Sequence, residues 1–142
     1  MPLYTIGYEG RALADVLGTL KDNKIGLVVD VRALPLSRKR GFSKKALAAA
    51  LAGDGIAYAH RVALGTPKPM RARYKRDHDF AALRVAFDAY LEGQTHSLLE
   101  LVDLVKGKRA CLLCFEADPA LCHRSLVADA AQRLGGPPVK HL

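Results

Sequence analysis

Tryptophan is absent from the 142 residues, and only five Tyr and four Phe are present. The core must therefore be built from Leu, Val, Ile and Ala. Cysteine is equally sparse. Three cysteines are too few, and the wrong parity, for a disulfide scaffold, and they suit a reducing compartment. No apolar run approaches the roughly 18 residues of a membrane span. The stretch Met1–Gly7 has neither a basic n-region nor a long apolar h-region, so it does not read as a secretory leader. With 50% hydrophobic and 25% charged residues, the composition excludes disordered, collagen-like and low-complexity classes. The length suits one domain spanning residues 1–142. These features predict a cytoplasmic protein with no membrane partner. No pattern in the chain addresses its oligomeric state.

Acidic residues are missing from two segments, and this sets the charge distribution. Residues 32–45 carry Arg32, Arg38, Lys39, Arg40, Lys44 and Lys45 with no acid. Residues 61–76 carry Arg61, Lys68, Arg71, Arg73, Lys75 and Arg76, again with no acid. These twelve account for the whole surplus behind the net charge of +8, because the remaining ten basic residues are outnumbered by fourteen acidic ones. Charge concentrated in this way attracts phosphates or an acidic partner; it also serves as a solvated face that keeps a protein soluble.

Hydrophobic periodicity gives the order of elements. Residues 3–6 read as a short strand. Leu13, Val16, Leu17 and Leu20 place a helix over 11–22. The apolar run 25–31 reads as a buried parallel strand. A loop over 33–42 is broken by Pro35 and Gly41, and Ser43 is placed to cap a helix from Lys44 to about Ala52. Residues 56–59 form a third strand. The stretch 60–79 is too long for a structureless loop in a compact domain, so it is functional or partly helical. Helices follow over 80–91 and 97–105, the second opening on a Ser97/Glu100 capping box. A central strand spans 109–115, and Asp118-Pro119 starts a helix that runs to about Leu134. A last strand is expected over 139–142. The alternation predicts an α/β fold: a single domain with a mostly parallel sheet of about five strands and helices on both faces.

In such a sheet, ligands bind beyond the carboxyl ends of the strands. The residues leaving the strands are therefore the candidates. They are Glu9, then Asp30 and Arg32, then His60, then Glu116 with Cys122, His123 and Arg124. Glu9, Asp30 and Glu116 follow different strands, and converging carboxylates hold a divalent metal or act as general base. The competing reading is that each caps a helix or pairs with Arg32 or Arg124. Asp30 and Arg32 share strand parity, which favours their pairing or their joint use at one edge of a site.

Cys122 at a helix start beside His123 and Arg124 has the environment of a nucleophilic thiolate. Adjacent helical residues point about 100° apart, so His123 is poorly placed as its base. Neither Cys114 nor Cys122 has the Cys-x5-Arg spacing of cysteine phosphatases. Cys111 and Cys114 lie at i and i+3 of a strand and face opposite sides, so they read as buried small hydrophobes rather than as parts of a zinc site with Cys122 and His123. No metal-ligand set is assigned. In the loop after the second strand, Arg38, Lys39 and Arg40 precede Phe42, which offers a single ring to a base or a staple to the next helix.

The motifs Thr5–Gly10 (TIGYEG), Val29–Arg32 (VDVR) with Pro35 and Arg38, Gly41–Lys44 (GFSK), Leu64-Gly65 and Cys114–Arg124 (CFEADPALCHR) together resemble the DUF488 family, a bacterial and archaeal domain of unknown function. The resemblance implies one compact α/β domain in a prokaryotic cytoplasm. It places Glu9, Asp30, Arg32, Glu116, Cys122, His123 and Arg124 inside the group's motifs without assigning them roles.

Two functional expectations follow, with a third below them. The first is an enzyme acting on a phosphate-bearing substrate, a nucleotide or nucleic acid. Arg32, Arg38 and Arg124 hold phosphate in this reading; Glu9, Asp30 or Glu116 supplies a base or a divalent-metal ligand, and His123 an acid. The second is a non-catalytic nucleic-acid-binding module using segments 32–45 and 61–76. The third is thiol chemistry at Cys122.

Overall fold

A computed structural model describes residues 1–142. The strands are β1 (Leu3–Gly7), β2 (Leu27–Asp30), β3 (Ala57–His60), β4 (Ala110–Cys114) and β5 (Val139–His141). The helices are α1 (Leu13–Asp22), α2 (Lys44–Gly53), α3 (Lys68–Asp77), α4 (Phe80–Glu92), α5 (Thr95–Val105) and α6 (His123–Arg133). Short 3-10 turns occupy Val62–Leu64 and Pro119–Leu121. All five strands pair in parallel in one sheet, in the order β3-β2-β4-β1-β5. The expected α/β class and the helices on both faces are what the structure has.

Strand parity explains the two layers. Alternate residues point to opposite faces. Tyr4, Ile6, Val28, Cys111 and Leu113 meet Val16 and Leu20 of α1 and Leu47 and Leu51 of α2. Leu3, Leu27, Val29, Leu112 and Cys114 meet Phe87 and Leu91 of α4, Leu98, Leu101 and Val105 of α5, and the inner face of α6. β1, β2 and β4 are wholly buried, which is why they read as nearly unbroken apolar runs. The edge strands β3 and β5 are partly exposed.

The connections determine where a site belongs. After β1 the chain crosses by α1 to β2, on one side of the sheet and in one direction. After the neighbouring β4 it crosses by α6 to β5, on the other side and in the opposite direction. Such a reversal opens a crevice at the carboxyl ends of the two strands. Tyr8 and Glu9 leave β1 there, and Phe115 and Glu116 leave β4.

Three local expectations are corrected. The helix expected from Asp118 to Leu134 is two pieces. The Asp118 carboxylate accepts from the Ala120 amide (2.9 Å) and closes only a three-residue turn, after which Cys122 is extended (φ −133°, ψ 139°) and α6 begins at His123. The break turns Cys122 into the core, where it is 1% exposed. Ser97 does not cap α5. Only Gly93 and Gln94 separate α4 from α5, so the helix begins at once, with Gln94 as its cap residue and Ser97 inside it. Ser43 stands at the cap position of α2, but its hydroxyl is used by the Ser37 backbone (3.1 and 3.2 Å). The stretch 60–79 is partly helical, through the 62–64 turn and α3.

At the end of β1 the backbone comes so close to the 116–117 segment that a Cβ on Gly7 would overlap the Glu116 carbonyl and press on Arg124 Nη1. Gly7→Ala is expected to destabilise the fold by ~1–3 kcal/mol, the usual cost of overpacking. Gly26→Ala, where an added carbon meets open space, is expected to change stability by less than ~0.5 kcal/mol. Denaturant unfolding of both variants tests the pair, and equal effects would refute the steric account.

Candidate functional site

The carboxyl edge of the sheet carries two polar clusters on opposite faces. Asp30 and Arg32 form the first. Their shared parity, which favours pairing, is realised as a two-pronged contact: Arg32 Nε donates to Asp30 Oδ1 (2.9 Å) and Nη2 to Oδ2 (2.7 Å). The Arg32 amide donates to Oδ1 (3.0 Å), and Tyr58 Oη donates to Oδ2 (2.6 Å). The third guanidinium nitrogen donates to Tyr8 Oη (3.0 Å) and to the Phe42 carbonyl (2.7 Å). Both charges are buried, Asp30 at 0% and Arg32 at 5% exposure. Burial alone would lower the Arg32 pKa, but the Asp30 carboxylate more than reverses this and holds the cation. Tyr58 is pushed up by burial and by Asp30.

Around this pair the loop after β2 is anchored. Phe42 stacks on Tyr8 with centroids 4.3 Å apart, so its ring is a packing element and is not offered to a base. Lys39 Nζ donates to the carbonyls of Tyr8 (3.2 Å) and Arg11 (2.7 Å), while Arg38 and Arg40 are exposed. His60 Nε2 meets the Arg32 carbonyl (2.7 Å).

The second cluster lies on the other face, where β4 ends and α6 begins. The sulfurs of Cys114 and Cys122 and a ring nitrogen of His123 lie within 4.8 Å of one another, and all three residues are buried. His123 Nδ1 is 3.4 Å from Cys114 Sγ, and Nε2 is 2.7 Å from the Val31 carbonyl. A carbonyl only accepts, so Nε2 carries a proton; Cys114 Sγ lies beside the ring, 3.4 Å from Nδ1 and 3.9 Å from Nε2. Glu116 Oε2 stands 3.7 Å from Cys114 Sγ. Burial and the neighbouring Cys122 sulfur push Glu116 up to about 7. Burial acts against a thiolate at Cys122, but hydrogen bonds from Cys114 and His123 and the His123 charge hold its pKa well below the ordinary range. His123 is raised: burial opposes its charge, and the Cys122 sulfur outweighs it. Cys114 is raised well up by burial and by Cys122.

Helix geometry does not separate His123 from Cys122, because Cys122 is extended and outside α6. Cys111 is a buried apolar residue on the α1/α2 face, as strand parity predicts. Cys114 is buried too, but on the face that carries Cys122 and His123.

Arg124 is fully buried and has no carboxylate partner. It donates to Thr5 Oγ1 (3.2 Å), to the Glu116 carbonyl and to the Ala117 carbonyl (3.3 Å). Glu9 is exposed and its carboxylate accepts from the Ala117 amide (3.1 Å). The three carboxylates therefore do not converge: Asp30 belongs to the first cluster, Glu116 to the second, and Glu9 braces a loop. Arg32 and Arg124 spend their donors on the protein itself.

A cleft of about 560 Å3 opens over the second cluster. Cys114, Glu116, His123, Tyr8 and Arg32 line it from the sheet edge. α3 contributes Arg71, Tyr74 and Lys75, followed by His78. Leu34, Leu36, Leu83, Phe115 and Leu121 supply apolar wall. Glu116 is its one carboxylate. Sequence reasoning tied Arg71 and Lys75 only to a charged segment; their four-residue spacing, one face of a helix, was the available signal that they act together.

Two outcomes test the first cluster. Asp30→Ala leaves a buried guanidinium unpaired and is expected to cost ~3–5 kcal/mol in denaturant unfolding; a loss below ~1 kcal/mol would contradict the pairing. The raised Tyr58 pKa contributes stability that is fully present below its ordinary value near 10 and is lost as pH rises above it. Tyr58→Phe is therefore expected to flatten the fall in unfolding free energy above about pH 10, and an unchanged slope would count against the assignment.

No curated protein and no solved structure matches the chain. Residues 12–131 match the family described as Domain of unknown function DUF488, and with most of its length and the cysteine–histidine cluster inside that match, the chain belongs to this family.

Proposed function

We propose that this protein is an enzyme acting on a small phosphate-bearing substrate held in the cleft at the carboxyl edge of the sheet. The observation that carries the reading is the shared cleft: a basic helix forms one wall and a histidine, a carboxylate and a thiol form the floor. Arg71 keeps one guanidinium nitrogen on the Thr66 carbonyl (2.7 Å) and stands one helical turn from Lys75. The two bind the phosphate in place of Arg32 and Arg124. The exposed ring of Phe115, edge-on to Tyr8 at 5.4 Å, and the leucines cover the less polar part of the ligand. A volume of about 560 Å3 suits a nucleotide-sized molecule. Glu116 acts as the base on geometric grounds, as the cleft's one carboxylate.

A nucleic-acid-binding role is favoured by one separate observation. α3 has no buried residue and carries Lys68, Arg71, Arg73, Lys75 and Arg76. The two readings separate in a thermal-shift series against inorganic phosphate, mononucleotides and short DNA and RNA oligomers. The enzyme reading expects a mononucleotide to raise the melting temperature. Arg71→Ala and Lys75→Ala should each weaken that binding by about 10–100-fold, the range for a hydrogen bond to a charged group. Glu116→Gln should keep the binding and lose turnover. Stabilisation by oligomers alone, abolished by salt, would replace this reading with the binding module. No stabilisation by any phosphate-bearing ligand would overturn both.

A further inference from the structure

The cluster beneath the cleft has an arrangement that neither phosphate binding nor core packing accounts for. Cys111 shows what an ordinary buried cysteine looks like in this fold: apolar neighbours on the α1/α2 face. Cys114 and Cys122 come instead from different elements, with the His123 imidazole beside them. We propose that Cys114 Sγ, Cys122 Sγ and His123 Nδ1 bind a divalent thiophilic cation, zinc, with its fourth position left open toward the cleft that Glu116 lines.

Three independent features support this. The first is spacing. With metal–sulfur bonds of about 2.3 Å and metal–nitrogen bonds of about 2.0 Å, a tetrahedral zinc sets a sulfur and a nitrogen ligand roughly 3.5 Å apart. Cys114 Sγ stands 3.4 Å from His123 Nδ1, close to that spacing, and 3.9 Å from Nε2, so a turn of the ring is needed to aim Nδ1 at the metal. The three cysteine and histidine donors all fall within 4.8 Å, so small rotamer shifts close the tetrahedron.

The second feature is the anchoring of the imidazole. A ligating histidine commonly donates its other ring N–H to a carbonyl or carboxylate, which fixes tautomer and orientation. His123 Nε2 does this at the Val31 carbonyl (2.7 Å). With its proton on Nε2, Nδ1 is left as the ring's free donor atom for a metal.

The third is donor chemistry. Two thiolates and an imidazole select zinc over magnesium or calcium, which require oxygen ligands. Three protein ligands with the fourth position toward an open cleft is the pattern of a catalytic zinc rather than a closed structural one. Extended Cys122 is what permits it: in a helix that continued back to Pro119, its thiol would not be turned to Cys114.

This inference stands apart from the proposed activity, because metal retention is measured without substrate. The full chain is purified under reducing, anaerobic conditions, stripped with chelator and titrated with zinc against a chromophoric competitor. One equivalent is expected to bind. Loss of an outer-shell partner alone costs 10–100-fold in affinity, so Cys114→Ser, Cys122→Ser and His123→Ala should each weaken binding by at least about 100-fold. Cys111→Ser removes a thiol from the other face and should leave affinity unchanged. Because a core variant can fail to fold, cobalt is also loaded into the unaltered protein. Sulfur-to-cobalt charge-transfer absorption together with tetrahedral ligand-field bands is expected. Failure of the unaltered protein to retain either metal, a cobalt spectrum without sulfur absorption, or equal weakening by Cys111→Ser would overturn the site. A site confirmed with no phosphate ligand found would leave this inference standing and the substrate reading refuted.

Discussion

A guanidinium with no exposed surface organises the carboxyl edge. Arg124 has no carboxylate beside it, so its donors must be met by neutral oxygens. It finds them on Thr5 of β1 and on the carbonyls of residues 116 and 117 after β4. A buried charge left short of partners is costly, so these contacts pull the two strand ends together. Gly7 is the steric counterpart, because only a residue without a side chain lets the 116–117 backbone lie against β1. Thr5 Oγ1, already accepting from Arg124, is also hydrogen-bonded with His141 Nδ1 (2.6 Å) and ties in β5 as well. The position of Glu116 in the cleft is a consequence of this clamp. The Arg124 charge, with that of His123, also favours an anionic sulfur at Cys122.

The two polar clusters are sorted by strand parity. Asp30 follows Val29 on β2 and falls on the α1/α2 face, where Tyr8, Phe42 and Tyr58 enclose it with Arg32. Val31, one residue later, is buried on the opposite face, and its carbonyl accepts from His123. One dipeptide at the end of β2 therefore serves both clusters: the side chain of Asp30 holds the first, and the backbone of Val31 orients the second. This separation is why the carboxylates do not converge. Proximity along a strand end does not bring side chains to one site when their parity differs.

The same parity rule shows how much was legible in the sequence. Apolar runs and glycine punctuation gave five strands and all the helices except α3, and residue spacing favoured the Asp30–Arg32 pairing. Cys122 and His123 are recognisable as a chemically loaded pair. Their relation is not legible there, because Asp118-Pro119 is a strong helix start and the extended break at Cys122 is a tertiary outcome that local propensity does not register. The membership of Cys114 in that cluster required knowing that β4 delivers it to the face covered by α6. Arg32 and Arg124 looked like anion binders for the same reason that they are structural. Arginine is the side chain best able to satisfy many fixed acceptors, and a motif cannot say whether those acceptors belong to a ligand or to the fold.

What remains for a ligand is therefore set by what the fold has already consumed. Lys39 is spent on two carbonyls, and Arg32 and Arg124 are buried. Arg73 pairs with Asp77 (3.3 Å) on the surface. On α3, Arg71 and Lys75 are the basic residues that both line the cleft and lack a carboxylate partner. α3 packs little of its own surface, with no buried residue, yet it sits over the most enclosed chemistry in the molecule. Its contact with the core below is the partly buried Met70, so most of its basic side chains are left uncommitted to packing. Cys114 at the end of β4 and His123 at the start of α6 line one side of the cleft, and the basic helix lines the other. This division sets tightly packed groups on one side of the cleft and, on the other, a basic helix that packing constrains little.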